Sequence, residues 1–152
     1  MIMQVIGATI GTMAFSLLYG VPKQYYPCCG LVGGAGWLIY LLTKPIIGTA
    51  LGAFCSTVFL VLLSRIFAVK KQCPVTIFLI AGIFPLVPGA GICMTSYYVV
   101  VNDIREAFTT GFMAMKIAVS IVLGIVIVFG MPQKWFQRLG NISLRRKEKE
   151  FT

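Results

Sequence analysis

The chain has 152 residues, of which 59% are hydrophobic and 11% charged, and its formal net charge is +9. A soluble domain carries about 25% charged residues, so this composition excludes a fold with a water-covered surface. It predicts an all-α integral membrane protein, because the long apolar runs have the length of membrane-spanning helices. The basic residues lie at the ends of these runs, which indicates topology signals and contact with anionic lipid rather than nucleic acid.

The sequence offers little acid–base chemistry. It contains no histidine, which removes the commonest general base and the commonest metal ligand. Of its four acidic residues, only Asp103 and Glu106 lie near a predicted span. We therefore predict no enzyme, no cofactor and no metal site. The five cysteines form no CxxC pair and are interpreted as small apolar residues; they are Cys28, Cys29, Cys55, Cys73 and Cys93.

Three spans are predicted in the first half of the chain. Residues 1–19 are uncharged and lack the basic start and cleavage site of a signal peptide, so we expect them to remain as a helix. Residues 20–27 are predicted to form a turn. The second run, 28–43, is short for a span and is expected to end at Lys44 and Pro45. The third run continues over residues 46–64.

The fourth predicted span is interrupted. After a predicted basic loop at 65–72, the apolar run 73–101 has 29 residues, too many for one straight span. Proline removes an N–H donor and glycine permits left-handed backbone. The segment 85–91, with two prolines and two glycines, is therefore expected to break the helix or to separate two half-helices.

The fifth run, 111–131, is predicted to span and to end at Pro132, with Trp135 and Phe136 as an interfacial anchor. Five spans and a cytoplasmic C-terminus place ten of the thirteen basic residues inside, as the positive-inside rule requires. We therefore predict one transmembrane domain over 1–136, a bundle of about five helices, N-outside and C-inside. A basic cytoplasmic tail is predicted over 137–152.

Three glycine pairs are spaced four residues apart on successive predicted helices. Small residues let helices approach closely in lipid, so we predict helix packing at these positions. Direct contact with a substrate is the alternative interpretation. The pairs are Gly7 with Gly11, Gly30 with Gly34, and Gly48 with Gly52.

The interrupted segment has two interpretations. Non-helical backbone at membrane depth is tolerated where it is buried in protein or lines a watery cavity, and broken helices in secondary transporters bind substrates and ions. A kink needed only for packing fits equally well. The candidate pathway residues are Pro85, Pro88, Gly89, Gly91, Thr95, Tyr98, Asn102 and Asp103. Asp103 is interpreted as a proton or cation site or as a solvated carboxylate, and Lys116 is expected to reach the outer interface.

The stretch 83–91, Ile-Phe-Pro-Leu-Val-Pro-Gly-Ala-Gly, resembles the signature of the threonine/serine exporter family, as do Tyr97-Tyr98 and Asn102-Asp103. The likeness is to the short membrane half, the small subunit of the split form, and covers most of residues 1–140. It implies a secondary transporter subunit in the bacterial plasma membrane, acting with a larger partner half that is a separate membrane polypeptide. The small-molecule substrates it implies are threonine and serine, or a dicarboxylate such as succinate.

On this resemblance, the prolines and glycines of 85–91 shape the substrate cavity, and Asn102 and Asp103 lie at or near its mouth. A half with an odd number of spans also suits an inverted arrangement with a second half, and a homo-oligomer is a further arrangement. A structural or assembly subunit without its own substrate site is the alternative function. A channel is disfavoured, because the chain lacks ring-forming charges or a filter-like repeat.

Overall fold

The computed structural model describes residues 2–131, all of whose regular structure is helical. The predictions for the tail over 137–152 and for the anchor at Trp135 and Phe136 lie outside the described residues. Six α-helices follow one another along the chain: α1 (Ile2–Leu18), α2 (Tyr26–Ile47), α3 (Thr49–Lys71), α4 (Val75–Ile83), α5 (Gly89–Val100) and α6 (Ile104–Gly130). Short 3₁₀ turns at Lys23–Tyr25 and Phe84–Leu86 precede α2 and α5.

The predicted end of the second helix at Lys44 and Pro45 is wrong. α2 contains Pro45 in its interior and ends at Gly48, whose φ is 86°. Proline inside a helix is tolerated in membrane segments, where other groups satisfy the freed carbonyl. A left-handed φ favours glycine, which has no Cβ. The chain therefore turns at Gly48, the single residue between α2 and α3.

The basic loop predicted at 65–72 is also wrong, because α3 continues to Lys71 and ends at Gln72 in a left-handed conformation, with a φ of 52°. Lys70 and Lys71 lie in the last helical turn. Cations at that position interact favourably with the helix dipole and with the last carbonyls. The basic residues that were predicted to form a loop therefore belong to the end of α3.

The last helix begins seven residues before the predicted start at Gly111. Asp103 is the N-cap of α6, and its carboxylate accepts a hydrogen bond of 3.2 Å from the Glu106 N–H. Glu106 itself lies in the first turn, where a negative charge suits the positive end of the helix dipole. These polar residues therefore extend the helix beyond its apolar run.

The predicted break in the fourth span is confirmed. α4 and α5 meet at an angle of 46° across the 3₁₀ turn Phe84–Leu86. Pro88, which cannot donate a backbone hydrogen bond, is the N-cap of α5. The two arms have 9 and 12 residues, so neither arm alone has the length of a span.

Within the described residues, three helical segments are long and apolar enough to cross a membrane: Lys23–Ile47, Thr49–Lys71 and Ile104–Gly130. The bent pair of α4 and α5 raises the number to four if it crosses once. α1 is apolar but has 17 residues, about 26 Å at 1.5 Å per residue, against a hydrocarbon core of about 30 Å. Five spans and their orientation stay predictions.

α3 is the centre of the bundle, where it packs against α2, α4 and α6. The fully buried apolar side chains include Val32 on α2, Leu60 and Val61 on α3, and Phe78 on α4. α1 packs mainly on α2, and α5 packs on α6 without a single buried residue of its own. The two peripheral helices therefore have wide faces that the other residues of 2–131 do not cover.

Glycines bring α1 and α2 close together. A Cβ built at Gly30 would lie 2.6 Å from the Met13 side chain, and one at Gly34 would overlap the Thr9 hydroxyl. Gly33 is equally crowded, by Thr12. These contacts place the α2 glycines at a helix interface. A larger side chain at Gly33 or Gly34 would press on a threonine of α1, whereas at Gly30 the nearest atom is the flexible end of Met13.

The other predicted packing glycines have different surroundings. Gly52 lies close to Lys44 and Thr43 across the turn, and Gly48 forms the turn itself. A Cβ at Gly7 or Gly11 would meet nothing within 4 Å. The Gly7–Gly11 pair thus lies on a face of α1 that no other described residue covers.

A buried hydroxyl links α2 to α3, since Ser56 donates a hydrogen bond to the Gly36 carbonyl oxygen. Ser56→Ala is expected to lower the free energy of unfolding by about 1 kcal/mol, the typical net value of such a bond. Thermal unfolding in mild detergent measures the change. The control is Ser64→Ala, because the Ser64 hydroxyl bonds within its own helix, to Leu60. An equal loss in both variants would contradict an interhelical role.

Candidate functional site

A half-open cavity lies beside the break between α4 and α5. Its volume is about 380 Å³, within the range of small-molecule sites. The break forms one wall with residues 85–91, and α2 contributes the rings of Trp37 and Tyr40. The α5–α6 side completes the lining with Met94, Thr110, Met113, Ala114 and Ile117.

Four predicted pathway residues, Pro85, Pro88, Gly89 and Gly91, lie together in this lining. The Val87 N–H donates to the Phe84 carbonyl and closes the turn that directs the chain into α5. A Cβ at Gly89 would meet nothing within 4 Å, whereas one at Gly91 would lie 3.2 Å from the Ala114 Cβ. Gly91 therefore lets α5 contact α6 closely at the cavity.

The other predicted pathway residues are not part of the lining. The Thr95 hydroxyl donates to the Gly91 carbonyl at 2.7 Å and contacts the Thr110 hydroxyl at 3.2 Å, so it joins α5 to α6. The rings of Tyr98 and Tyr97 contact edge to face on α5. Neither tyrosine is among the residues that line the cavity.

Asn102 and Asp103 form the turn between α5 and α6. Asn102 has a φ of 63°, a conformation that asparagine adopts more readily than most residues. Asp103 is exposed and serves as the N-cap of α6. The structure thus gives both residues a local role in the turn, about 14 Å along α5 from Gly91 at 1.5 Å per residue.

Seven lining residues outside the 85–91 segment were missed in the sequence, and three of them carry polar side-chain atoms. Trp37 and Tyr40 are on α2, far from the proline–glycine motif in the chain, and Thr110 is on α6. The indole N–H of Trp37 is buried without a hydrogen-bond partner among residues 2–131. Aromatic residues are common in apolar spans, so no local pattern distinguished these positions.

Lys116 is farther from the start of its helix than the sequence predicted. It is exposed near the middle of α6, twelve residues from the start of that helix, or about 18 Å at 1.5 Å per residue. The prediction counted its depth from Gly111. Its ammonium lies 4.5 Å from the centre of the Phe112 ring. An unpaired charge at the centre of a span costs roughly 2.5–3.5 kcal/mol by insertion scales.

Arg65 was assigned to a loop, but it is a buried residue of α3 with 5% of its surface exposed. Its guanidinium donates hydrogen bonds to the carbonyls of Met131 at 3.0 Å and Phe129 at 3.3 Å. Those carbonyls belong to the end of α6, where a cation also suits the helix dipole. These hydrogen bonds of Arg65 therefore hold the C-terminus of α6 against α3.

The thiols form no disulfide in the described part of the chain, where all five cysteines are free. In the turn between α3 and α4, burial and the neighbouring Cys28 raise the pKa of the Cys73 thiol. A raised pKa keeps this thiol protonated and unreactive at neutral pH. Within residues 2–131, no group of three or more His, Cys, Asp or Glu residues is arranged to hold a metal ion.

Comparison with known proteins gave one match. The family model described as threonine/serine exporter, ThrE, matches residues 4–130. The matched range includes α1 to α6 almost entirely, together with the cavity and the break. Searches of curated proteins and of solved structures gave no match.

Proposed function

The chain belongs to the threonine/serine exporter family, and from that premise we propose that it is one half of a two-part secondary exporter. The family and the apolar helices support a multi-pass membrane protein of transport type, and we propose that it is not an enzyme. The proposal adds a larger partner half, a bacterial plasma-membrane location and an N-outside, C-inside orientation. Threonine and serine are the proposed substrates, with a dicarboxylate such as succinate as the alternative.

The observation that carries the proposal is the cavity at the helix break. A packing kink would be filled by neighbouring side chains, whereas residues 85–91 border about 380 Å³ of open space. Gly89 begins α5 in the wall of this space. The first N–H groups of a helix lack partners in their own helix, and the helix dipole attracts anions. The Gly89 N–H donates to the Val87 carbonyl at 2.7 Å, so the groups that this argument concerns are the next N–H groups, those of Ala90 and Gly91. A broken span that presents such a terminus suits a substrate carboxylate.

The uncovered face of α1 supports a partner. Met3, Gly7 and Ile10 are exposed along one side of the helix, and Gly7 and Gly11 leave open space beside the backbone. Small residues of this kind allow close approach of another helix in lipid. The same face also favours the alternative, an assembly subunit that holds its partner and binds no substrate. The two functions differ in whether the cavity takes part in transport.

Efflux of radiolabelled serine, threonine and succinate tests the proposal, in cells lacking their own exporters. The chain alone, the candidate larger half alone and the pair are compared. Efflux is expected only with the pair. Pro88→Leu, which restores an N–H donor and replaces the proline ring in the cavity wall by a longer side chain, is expected to abolish it. Asp103→Asn keeps a capping side chain, so a loss there would indicate a role for the charge.

Pro45→Leu is the matched control, because Pro45 lies inside α2 and outside the cavity lining. It is expected to leave efflux unchanged at equal membrane levels. Efflux that survives Pro88→Leu would reduce the break to a packing feature and favour the assembly subunit. If the wild-type pair exports none of the three compounds, the proposed substrates are wrong.

A further inference from the structure

Among residues 2–131, the indole N–H of Trp37 is a buried side-chain donor without a hydrogen-bond partner. Buried polar atoms in proteins are with few exceptions hydrogen-bonded, and in the hydrocarbon of a membrane no water replaces a missing partner. An indole N–H donates only, so its partner has to be an acceptor such as an oxygen. The fold thus holds a donor whose acceptor the described residues do not supply.

Trp37 belongs both to the apolar core and to the cavity wall. Its half-buried side chain packs against the buried cluster that contains Leu60, Leu86 and Ile121, and it is also part of the cavity lining. The Tyr40 ring, one turn along α2, has its centre 5.2 Å from the Trp37 ring centre, at an interplanar angle of 40°. These contacts hold the indole at the wall but bring no acceptor to its N–H.

The cavity lining offers few other polar groups. It contains no Asp, Glu, Lys or Arg. The Thr110 hydroxyl already donates to the Glu106 carbonyl at 2.7 Å, so it is left to a ligand as an acceptor. A small polar molecule in such a cavity needs donors for its oxygens, because burying an unpaired polar group is costly. Trp37 provides a donor on the α2 wall, separate from the N–H groups at the start of α5.

We infer that the Trp37 indole N–H donates a hydrogen bond to an oxygen of the exported molecule, its hydroxyl or its carboxylate. The inference rests on the proposed exporter function and deepens it, since it names a residue that recognises the substrate. The indole nitrogen is enclosed by protein, so the ring has to turn towards the cavity to present its N–H. An unpaired buried donor is destabilising, and a substrate oxygen that pairs with it therefore favours the turned ring.

The NMR signal of the indole N–H tests the inference without measuring transport. The chain has two tryptophans, Trp37 and Trp135, so Trp135→Phe leaves one indole signal. The full chain is labelled with tryptophan that carries a heavy nitrogen isotope in its indole, and it is purified in mild detergent with the unlabelled, proposed larger half. Saturating L-serine is expected to move the indole proton resonance downfield, as a new hydrogen bond does.

An indole resonance that serine, threonine and succinate all leave unchanged would overturn the inference. So would a downfield shift that the larger half causes by itself, without a further effect of these compounds. That pattern would show that the partner supplies the acceptor. The spectrum of the chain alone, recorded in the same detergent, is the reference for both outcomes.

Transport by the reconstituted pair tests the donor itself. In the matched variant, Trp37 is replaced by the unnatural amino acid 3-benzothienylalanine, which keeps the shape of the ring and has sulfur in place of the N–H. This variant is expected to raise the KM for L-serine at least about fivefold, the effect of losing one hydrogen bond. Its unfolding midpoint is expected not to fall, because the lost donor has no partner in the fold. Trp37→Phe also removes packing, so a fall in its midpoint is expected.

Two competitors identify the accepting oxygen. L-alanine lacks the hydroxyl, and ethanolamine lacks the carboxylate. The competitor without the accepting oxygen is expected to bind the wild-type pair and the benzothienyl variant equally well. An equal loss of affinity for both would show a packing effect and overturn the inference, as would an unchanged KM for serine, while the exporter function stands. If the wild-type pair transports no serine, threonine or succinate, the proposed function fails, and the indole resonance alone decides the role of Trp37.

Discussion

Replacing Gly33 with leucine is expected to separate α1 from α2 and to lower the stability of the chain by roughly 3 kcal/mol. A Cβ at Gly33 would overlap the Thr12 hydroxyl and lie 2.8 Å from two further atoms of that side chain. Thr12 is fully buried and cannot turn away into free space. Overpacking of a filled interface typically costs 1–3 kcal/mol, and a whole leucine side chain lies at the upper end. The midpoint of thermal unfolding in mild detergent measures the loss.

Gly7→Leu is the control for this experiment. The substitution is also glycine to leucine, but a Cβ at Gly7 meets nothing within 4 Å. The isolated chain is therefore expected to keep its unfolding midpoint. A fall as large as that of Gly33→Leu would show that helix propensity or hydrophobicity, rather than the α1–α2 contact, sets the result. Reduced co-purification of the proposed larger half with Gly7→Leu would further support the α1 face as the docking surface that we propose for it.

Arg65→Ala is expected to destabilise the chain by about 3 kcal/mol. The substitution removes two charge-assisted hydrogen bonds to the carbonyls of Phe129 and Met131, each of a class worth about 1.5–3 kcal/mol. It also removes the contact with the Phe129 ring, whose centre lies 5.1 Å from the guanidinium carbon. The end of α6 is expected to loosen first, which hydrogen exchange of its last turn would report.

Lys70→Ala provides the comparison, because Lys70 is an exposed basic residue at the end of the same helix. It is expected to change stability by less than about 0.5 kcal/mol. Arg65→Lys retains the charge but has no planar fork to reach two carbonyls, so an intermediate loss is expected. If Arg65→Ala matched Lys70→Ala, the buried guanidinium would have no stabilising role.

Local sequence features predicted much of the architecture. The long apolar runs identified α2, α3 and α6, and the prolines and glycines of 85–91 identified the break. Helix ends were less predictable. Hydropathy indicates which residues can lie in lipid, whereas hydrogen bonding determines the residue at which a helix ends. Asp103 and Glu106 extend α6 into polar sequence by capping it.

The cavity was predictable only in part. Pro85, Pro88, Gly89 and Gly91 belong to one motif, so their shared position in the wall follows from the chain itself. Trp37 is about fifty residues away in sequence and reaches the cavity through the packing of α2. The role of Arg65 could not be predicted for the same reason. In the sequence its charge resembles a topology signal, and only the folded structure brings the end of α6 against it.

The junction at Gly48 has a consequence for how the two central helices are matched. One residue joins α2 to α3, so no loop is available to absorb a change in length. Successive residues of an α-helix are rotated by about 100°, since a turn contains 3.6 residues. An insertion of one residue into the first turn of α3 would turn every later side chain of that helix by this angle relative to the junction, and would move Ser56 away from the Gly36 carbonyl. The rotation of α3 about its own axis, relative to α2, is thus set by the single glycine at the junction, Gly48.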